Sequence, residues 1–251
     1  MKKNLHNFIK IFYKKQKSKN NNVLDLKSYI NQKQLYEIET SDLNNLYNNV
    51  YNNKCLCVLE FGSGWSTLVI AKALYDLKKK YGSYVKKLRR DEKFVLHFIE
   101  TSKKFLKISL SRIPEYIKKE ITIIPHYSKC KVTSFNGQLC HEYEKFPATN
   151  PDFIYVDGPH ILDVENRKNQ LGFNKSYDFV PMSCDLLKIE NLLLPGTIIL
   201  FDGRVLNARF LKNNFKRNWS FFHSTKLDIV LMKLNEKPIG PYNAKMLDFK
   251  K

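Results

Sequence analysis

Apolar residues along the chain fall into short, nearly continuous runs separated by stretches of helical spacing. Val58 to Phe61 is such a run, and it meets Gly62 and Gly64 before a helical pattern that Ser66 or Thr67 can cap. Further strand-like runs occupy Phe94 to Ile99, Ile121 to Ile124, Pro151 to Val156 and Thr197 to Phe201. Upstream, Leu43, Leu46, Tyr47, Val50 and Tyr51 form one helical stripe behind Thr40 or Ser41, and Lys103 to Leu110 follows Thr101 and Ser102. Near the other end a helix over Val205 to Asn218 leads into two strand patterns, Trp219 to His223 and Asp228 to Leu234. Strands alternating with helices predict an α/β fold on a parallel sheet, and the closing pair of strands predicts a terminal antiparallel hairpin.

At 251 residues the chain has room for one sizeable core, with a basic N-terminal extension over 1–32, a main domain over 33–236 and a tail over 237–251. In the extension Leu5, Phe8, Ile9 and Phe12 recur at helical spacing among lysines. That pattern suits either a helix docked on the domain or peripheral contact with an anionic membrane. Lys237 to Pro241 is read as a surface strap.

Lys and Arg number 43 against 24 Asp and Glu, a net charge of +19. The lysines are scattered and no arginine stripe interleaves with aromatics, so there is no nucleic-acid signal beyond the charge itself. Five cysteines, Cys55, Cys57, Cys130, Cys140 and Cys184, contain no C-x-x-C pair, and their spacing indicates neither a disulfide framework nor a zinc site. No run of about 18 apolar residues occurs and the N-terminus has no apolar leader pattern, so a cytoplasmic location is expected. Nothing in the pattern fixes the oligomeric state.

The candidate chemistry lies at the strand ends. Gly62 and Gly64 let the backbone turn sharply and approach a ligand. A dinucleotide fingerprint would place a third glycine three positions after Gly64, where this chain has Thr67. Glu60 stands two residues before Gly62, where a carboxylate repels a diphosphate and attracts a sulfonium or ammonium group. Glu100 ends the second strand, and its two oxygens can accept from both hydroxyls of a ribose. Asp157 ends the Pro151 to Val156 strand, and His160 follows it.

Glu60-Phe61-Gly62-Ser63-Gly64 resembles the first motif of the class I, seven-strand S-adenosylmethionine-dependent methyltransferases. The Asp157-Gly158-Pro159-His160 segment resembles the fourth motif of their small-molecule O-methyltransferase branch. The resemblance runs from about Leu43 to Leu234. It implies a three-layer Rossmann-like methyltransferase fold, with a mostly parallel seven-strand sheet and a C-terminal antiparallel hairpin. It also implies that S-adenosylmethionine binds to Glu60, Phe61, Gly62, Ser63, Gly64, Ser66, Glu100 and Asp157, with Tyr127 and Ser128, in the loop after the third strand, facing the adenine.

Metal-dependent members hold Mg2+ between an acid after the fourth strand and a pair after the fifth. Asp157 and Asp202 can supply part of that set, but Gly203 occupies the second position of the pair, and an extra loop from Leu162 to Ser183 separates the acids. The metal-free alternative, with Asp157 beside the donor and His160 as general base, is preferred. Lys175, Tyr177, Asp202 and Arg204 form the expected acceptor site. Their charges, with Arg167 and Lys168, point to a small molecule or cell-surface glycan precursor of acidic or phosphorylated character. The alternatives are an RNA-binding protein or RNA methyltransferase, for which Asp157-Gly158-Pro159-His160 is a poor motif, or a noncatalytic protein of the same fold.

Overall fold

A computed structural model of the chain describes residues 40–160, 163–165 and 182–251. The basic extension and most of the Leu162 to Ser183 loop, including Arg167, Lys168, Lys175 and Tyr177, lie outside the described residues.

Helix α1 (Thr40–Asn52) leads into strand β1 (Cys57–Phe61), the glycine turn and the long helix α2 (Trp65–Val85). Strand β2 (Val95–Glu100), helices α3 (Lys103–Arg112) and α4 (Glu115–Lys118), and strand β3 (Thr122–Tyr127) follow. Next come the hairpin β4 (Cys130–Phe135) and β5 (Gln138–Tyr143), strand β6 (Phe153–Val156), and the short strands β7 (Val164–Glu165) and β8 (Met182–Ser183). Helix α5 (Asp185–Ile189), strand β9 (Ile198–Asp202), helix α6 (Val205–Asn214), strands β10 (Trp219–Ser224) and β11 (Ile229–Leu234), and helix α7 (Pro241–Lys250) complete the chain.

The main sheet has seven strands in the order β10-β11-β9-β6-β1-β2-β3. All neighbours are parallel except the two pairs made by β11, which runs antiparallel to β9 and β10. The expected fold class is therefore present: a mostly parallel seven-strand sheet closed by an antiparallel hairpin.

The central strands are covered on both faces, which is why they read as mostly apolar runs. Alternation divides them. Val58, Leu96, Phe98, Phe153, Tyr155, Ile198 and Leu200 join a core with α1, α2, Ile113, Ile117 and α7. Leu59, Phe61, Ile99, Ile154, Val156, Ile199 and Phe201 join a second core with α5, α6, Cys130, Val132 and Tyr143. Each fully buried Phe or Leu in these layers contributes about 1.5–3 kcal/mol of hydrophobic stabilisation.

Several local expectations are corrected. The third strand runs on to Tyr127, so His126 and Tyr127 are strand residues paired with Ile99 and Glu100, not loop residues. Helix α2 starts at Trp65, one residue before Ser66. Neither Ser66 nor Thr67 is its N-cap, although the Thr67 hydroxyl accepts from the Gly64 amide at 2.9 Å. Helix α6 ends at Asn214 rather than Asn218. A second sheet, β7-β4-β5-β8, was not expected, and it brackets the undescribed part of the long loop.

Lys237 to Ile239 is exposed, as a strap should be, but helix α7 follows it and buries Met246 and Phe249 against the core. All five cysteines are buried and unbridged. Among the described residues, no helix is long and apolar enough to cross a membrane.

Candidate active site

Parallel strands in register bring their carboxyl ends to one edge. Phe61 aligns with Ile99 on β2 and with Val156 on β6, so Gly62, Glu100 and Asp157 emerge at one level in three neighbouring strands. Open α/β sheets bind ligands at this edge. Glu60 shares the face of Val58 by alternation, and that face packs against α1 and α2.

The turn is held by backbone. Gly62 has φ 91°, and its amide donates to the Ile99 carbonyl at 2.9 Å. A Cβ on Gly62 would lie 3.1 Å from the Gly158 Cα, and one on Gly158 would lie 2.5 Å from the Gly62 Cα. The chains leaving β1 and β6 thus touch through two glycines, and Phe61 is fully buried beneath them. Gly64 sits in extended backbone with open space around its Cβ position.

Glu60 is fully buried. One carboxylate oxygen accepts the Ser66 hydroxyl, and the other has no hydrogen-bond partner. Burial drives its pKa up to about 8. The Ser66 hydroxyl and the nearby Thr67 hydroxyl work against that rise, and the charges of Asp157 and Glu100 add to it. Glu100 is also buried and raised by burial. Its oxygens accept from the Ser63 hydroxyl at 2.8 Å, the Ser102 amide at 2.9 Å and the Thr101 hydroxyl at 3.2 Å.

Asp157 is open to the crevice, yet the protein crowded behind it raises its pKa, opposed by Arg204. Its amide donates to the Phe61 carbonyl at 3.2 Å. His160 is exposed on the loop after Asp157.

Asp202, at the end of β9, accepts the Tyr155 hydroxyl at 2.6 Å. Burial raises it to about 6 against the effect of that hydrogen bond, with Asp157, Asp42 and Asp228 adding repulsion. Four carboxylates on four adjacent strands therefore line one edge of a chain that is otherwise strongly basic.

Three of the expected residues have further contacts. Arg204 donates to the backbone carbonyls of Asp157 at 2.5 Å and Pro159 at 2.9 Å, so its guanidinium braces the loop after β6. The Ser128 hydroxyl donates to the Lys129 carbonyl and accepts from the Lys145 amide, tying β3 to the second sheet. Tyr127 is exposed beside Glu100, with the Lys103 ammonium 4.8 Å from its ring centre.

Tyr155, which donates to Asp202, and Asp42, whose charge reaches Asp202, are neighbours of the candidate site that sequence reasoning missed. Tyr155 carries a signal, a lone hydroxyl in the apolar Phe153 to Val156 run. Asp42 carries none, because its proximity depends on how α1 packs.

No protein-family model matches the chain, and no curated protein matches it. Solved structures align over most of its length. An O-methyltransferase from Bacillus cereus in complex with SAH is 16% identical, covering 80% of this chain and 84% of its own at TM-score 0.43. An O-methyltransferase from Streptomyces achromogenes in complex with SAM is 14% identical, covering 80% and 82% at 0.43. An SAH-bound methyltransferase from Podospora anserina is 14% identical, covering 80% of each chain at 0.47. Strand order and direction, rather than these distant likenesses, carry the assignment. The chain has the Rossmann-like fold with the seven-strand topology of the class I methyltransferases.

Proposed function

We propose that the protein is an S-adenosylmethionine-dependent methyltransferase acting on a hydroxyl of a small molecule. The observation that carries this reading is Glu60, a carboxylate shut off from solvent with one unpartnered oxygen, beside Glu100 and Asp157 at the ligand-binding edge. A hydrophobic sheet has no use for such a group, whereas a cationic ligand lowers the cost of its charge. A diphosphate would meet three carboxylates there.

The residues fit the cofactor. Gly62 and Gly158 keep the turn free of side chains, Glu100 would take the ribose hydroxyls in exchange for its bond to Ser63, and Tyr127 would flank the base. Glu60 and Asp157 would face the cationic end. S-adenosylmethionine supplies, when bound, a methyl group on positively charged sulfur.

The protein's own part is alignment and proton removal. Asp157 and Asp202 would hold the acceptor hydroxyl by accepting its hydrogen bond, and His160 would take its proton as the oxygen attacks. The acidic lining supports a neutral or cationic acceptor rather than an anionic one, because Arg204 is bound to backbone carbonyls while the charges of Asp42, Asp157 and Asp228 reach Asp202. A neutral sugar hydroxyl of a glycan precursor meets that condition.

Calorimetric titration with S-adenosylmethionine, S-adenosylhomocysteine and NAD tests the reading. Stoichiometric binding of the first two without NAD is expected. Binding of NAD, or of none of the three, would overturn it.

A further inference from the structure

At the opposite, amino-terminal edge of the sheet, a second polar cluster sits where the methyl-transfer reading has no use for one. We propose that Cys57, Glu92 and His97 bind a divalent transition metal of the zinc type. Cys57 opens β1 and His97 is the third residue of β2. Register pairs Leu59 with His97, so both side chains lie on one face. Glu92 reaches them from the connection before β2.

Their ligand atoms all lie within 4.8 Å of one another. Cys57 Sγ is 3.6 Å from Glu92 Oε2, and His97 Nε2 is 2.6 Å from Glu92 Oε1. Around zinc, with bonds near 2.0–2.3 Å, tetrahedral donors stand roughly 3.3–3.7 Å apart. The thiol spacing already fits. Moving the Glu92 side chain, 29% exposed, off His97 by about 1 Å brings that pair to the same spacing, and the thiol and imidazole lie within 4.8 Å of each other. That exposed side also gives the ion a route in, while Cys57 and His97 are buried.

A second observation points the same way. His97 Nδ1 lies 3.0 Å from His126 Nε2, and the two rings stack with centroids 5.3 Å apart. A zinc-bound histidine is normally oriented by donating its other N–H to an acceptor, and His126 Nε2 is placed to be that acceptor. Glu92 is steadied too, since its Oε2 accepts from the Thr149 hydroxyl at 2.8 Å and the Asn150 amide at 3.2 Å. Arg90 stands beside Cys57 and Glu92, where its charge favours the thiolate, and it also faces Asp152 at 3.7 Å and donates to the carbonyls of Glu92 and Asn150.

Thiolate, imidazole and carboxylate together select a borderline metal over Mg2+ or Ca2+. On binding, the Cys57 S–H bond breaks, its proton goes to solvent and the sulfur lone pair forms the metal bond. His97 enters neutral, with its proton on Nδ1. Three protein ligands leave a fourth position for water. The ligands come from three separate segments, which is why cysteine spacing alone gives no hint of them.

Co2+ titration of the full chain, freed of metal by chelator, tests this without any cofactor or substrate. One equivalent should raise thiolate-to-cobalt charge-transfer absorption, and Zn2+ should abolish it by displacement. Cys57→Ser should remove the band. Glu92→Gln and His126→Gln should keep it with at least tenfold weaker affinity. A chain that takes up no stoichiometric Co2+ or Zn2+ holds a hydrogen-bonded cluster only, and the proposal fails. It fails equally if the band survives Cys57→Ser. Should Cys57→Ser not fold, Glu92→Gln and His126→Gln decide, and unchanged affinity in both would overturn the site.

Discussion

Gly62 and Gly158 touch backbone to backbone: a Cβ on Gly158 would stand 2.5 Å from the Gly62 Cα, 2.6 Å from its nitrogen and 2.9 Å from the Phe61 carbonyl carbon. None of these atoms can move without shifting β1 against β6. Gly158→Ala is therefore expected to destabilise the protein by about 3 kcal/mol, the upper end of overpacking costs. It should also abolish S-adenosylhomocysteine binding by opening the turn. Urea unfolding and calorimetry check both effects, and wild-type values for both would show that the two turns are not in contact.

Glu60 sets a pH dependence. Its native pKa of about 8 lies above the ordinary 4.5, so between these values the folded state holds more protons than the unfolded chain. The stabilisation is complete below about pH 4.5 and fades as pH rises through 8, a change on the order of a few kcal/mol. Glu60→Gln removes the titration but keeps the shape. Urea unfolding from pH 5 to 9 should show the wild type losing stability relative to the variant. The variant should also bind S-adenosylmethionine at least tenfold more weakly at pH 8. Parallel stability profiles would place the titration elsewhere.

The central strands of the main sheet are legible in the chain because each is buried on both faces, so Phe153 to Val156 reads as an apolar run and Val58 to Phe61 as one broken only by Glu60. The β4–β5 hairpin is harder to see. Its burial is uneven, with Cys130 and Val132 inward and Ser134 out, and its clearest mark is Asn136-Gly137, a pair suited to the positive φ values of 50° and 73° found there. Helix α7 is hidden for a similar reason, since Met246 and Phe249 bury its inner face among lysines. In the site, the acids at strand ends follow from alternation. Their partners do not, because the Tyr155 bond to Asp202 depends on two strands 47 residues apart coming into register.

Tyr155 holds Asp202 in its charged form by donating at 2.6 Å, while burial raises that carboxyl to about 6. Tyr155→Phe removes the donor, so the Asp202 pKa should climb further. Once an acceptor is in hand, the acidic limb of kcat/KM against pH is expected to move to higher pH by about one unit, the free energy of one hydrogen bond to a charged group. A limb that stays in place would separate Asp202 from the reaction.

Asp152 fastens the amino-terminal edge of the sheet to the last helix. Its carboxylate accepts from the Leu56 amide at 3.0 Å and the Cys57 amide at 2.9 Å, and it faces Lys250 at 3.1 Å and Arg90 at 3.7 Å. Burial alone would raise its pKa, but Lys250, Arg90 and the Cys57 amide hold it below the ordinary 3.8. The stabilisation is therefore present above about pH 3.8 and is lost as pH falls through the lower native value. Asp152→Ala strands two buried cations and two amides, and should cost about 3–5 kcal/mol at pH 7. Asp152→Asn keeps an acceptor for the amides and should cost less. The two urea midpoints at pH 7 separate the contributions: equal losses would assign the whole effect to charge, and a larger loss in Asp152→Ala would assign the difference to the Leu56 and Cys57 amides.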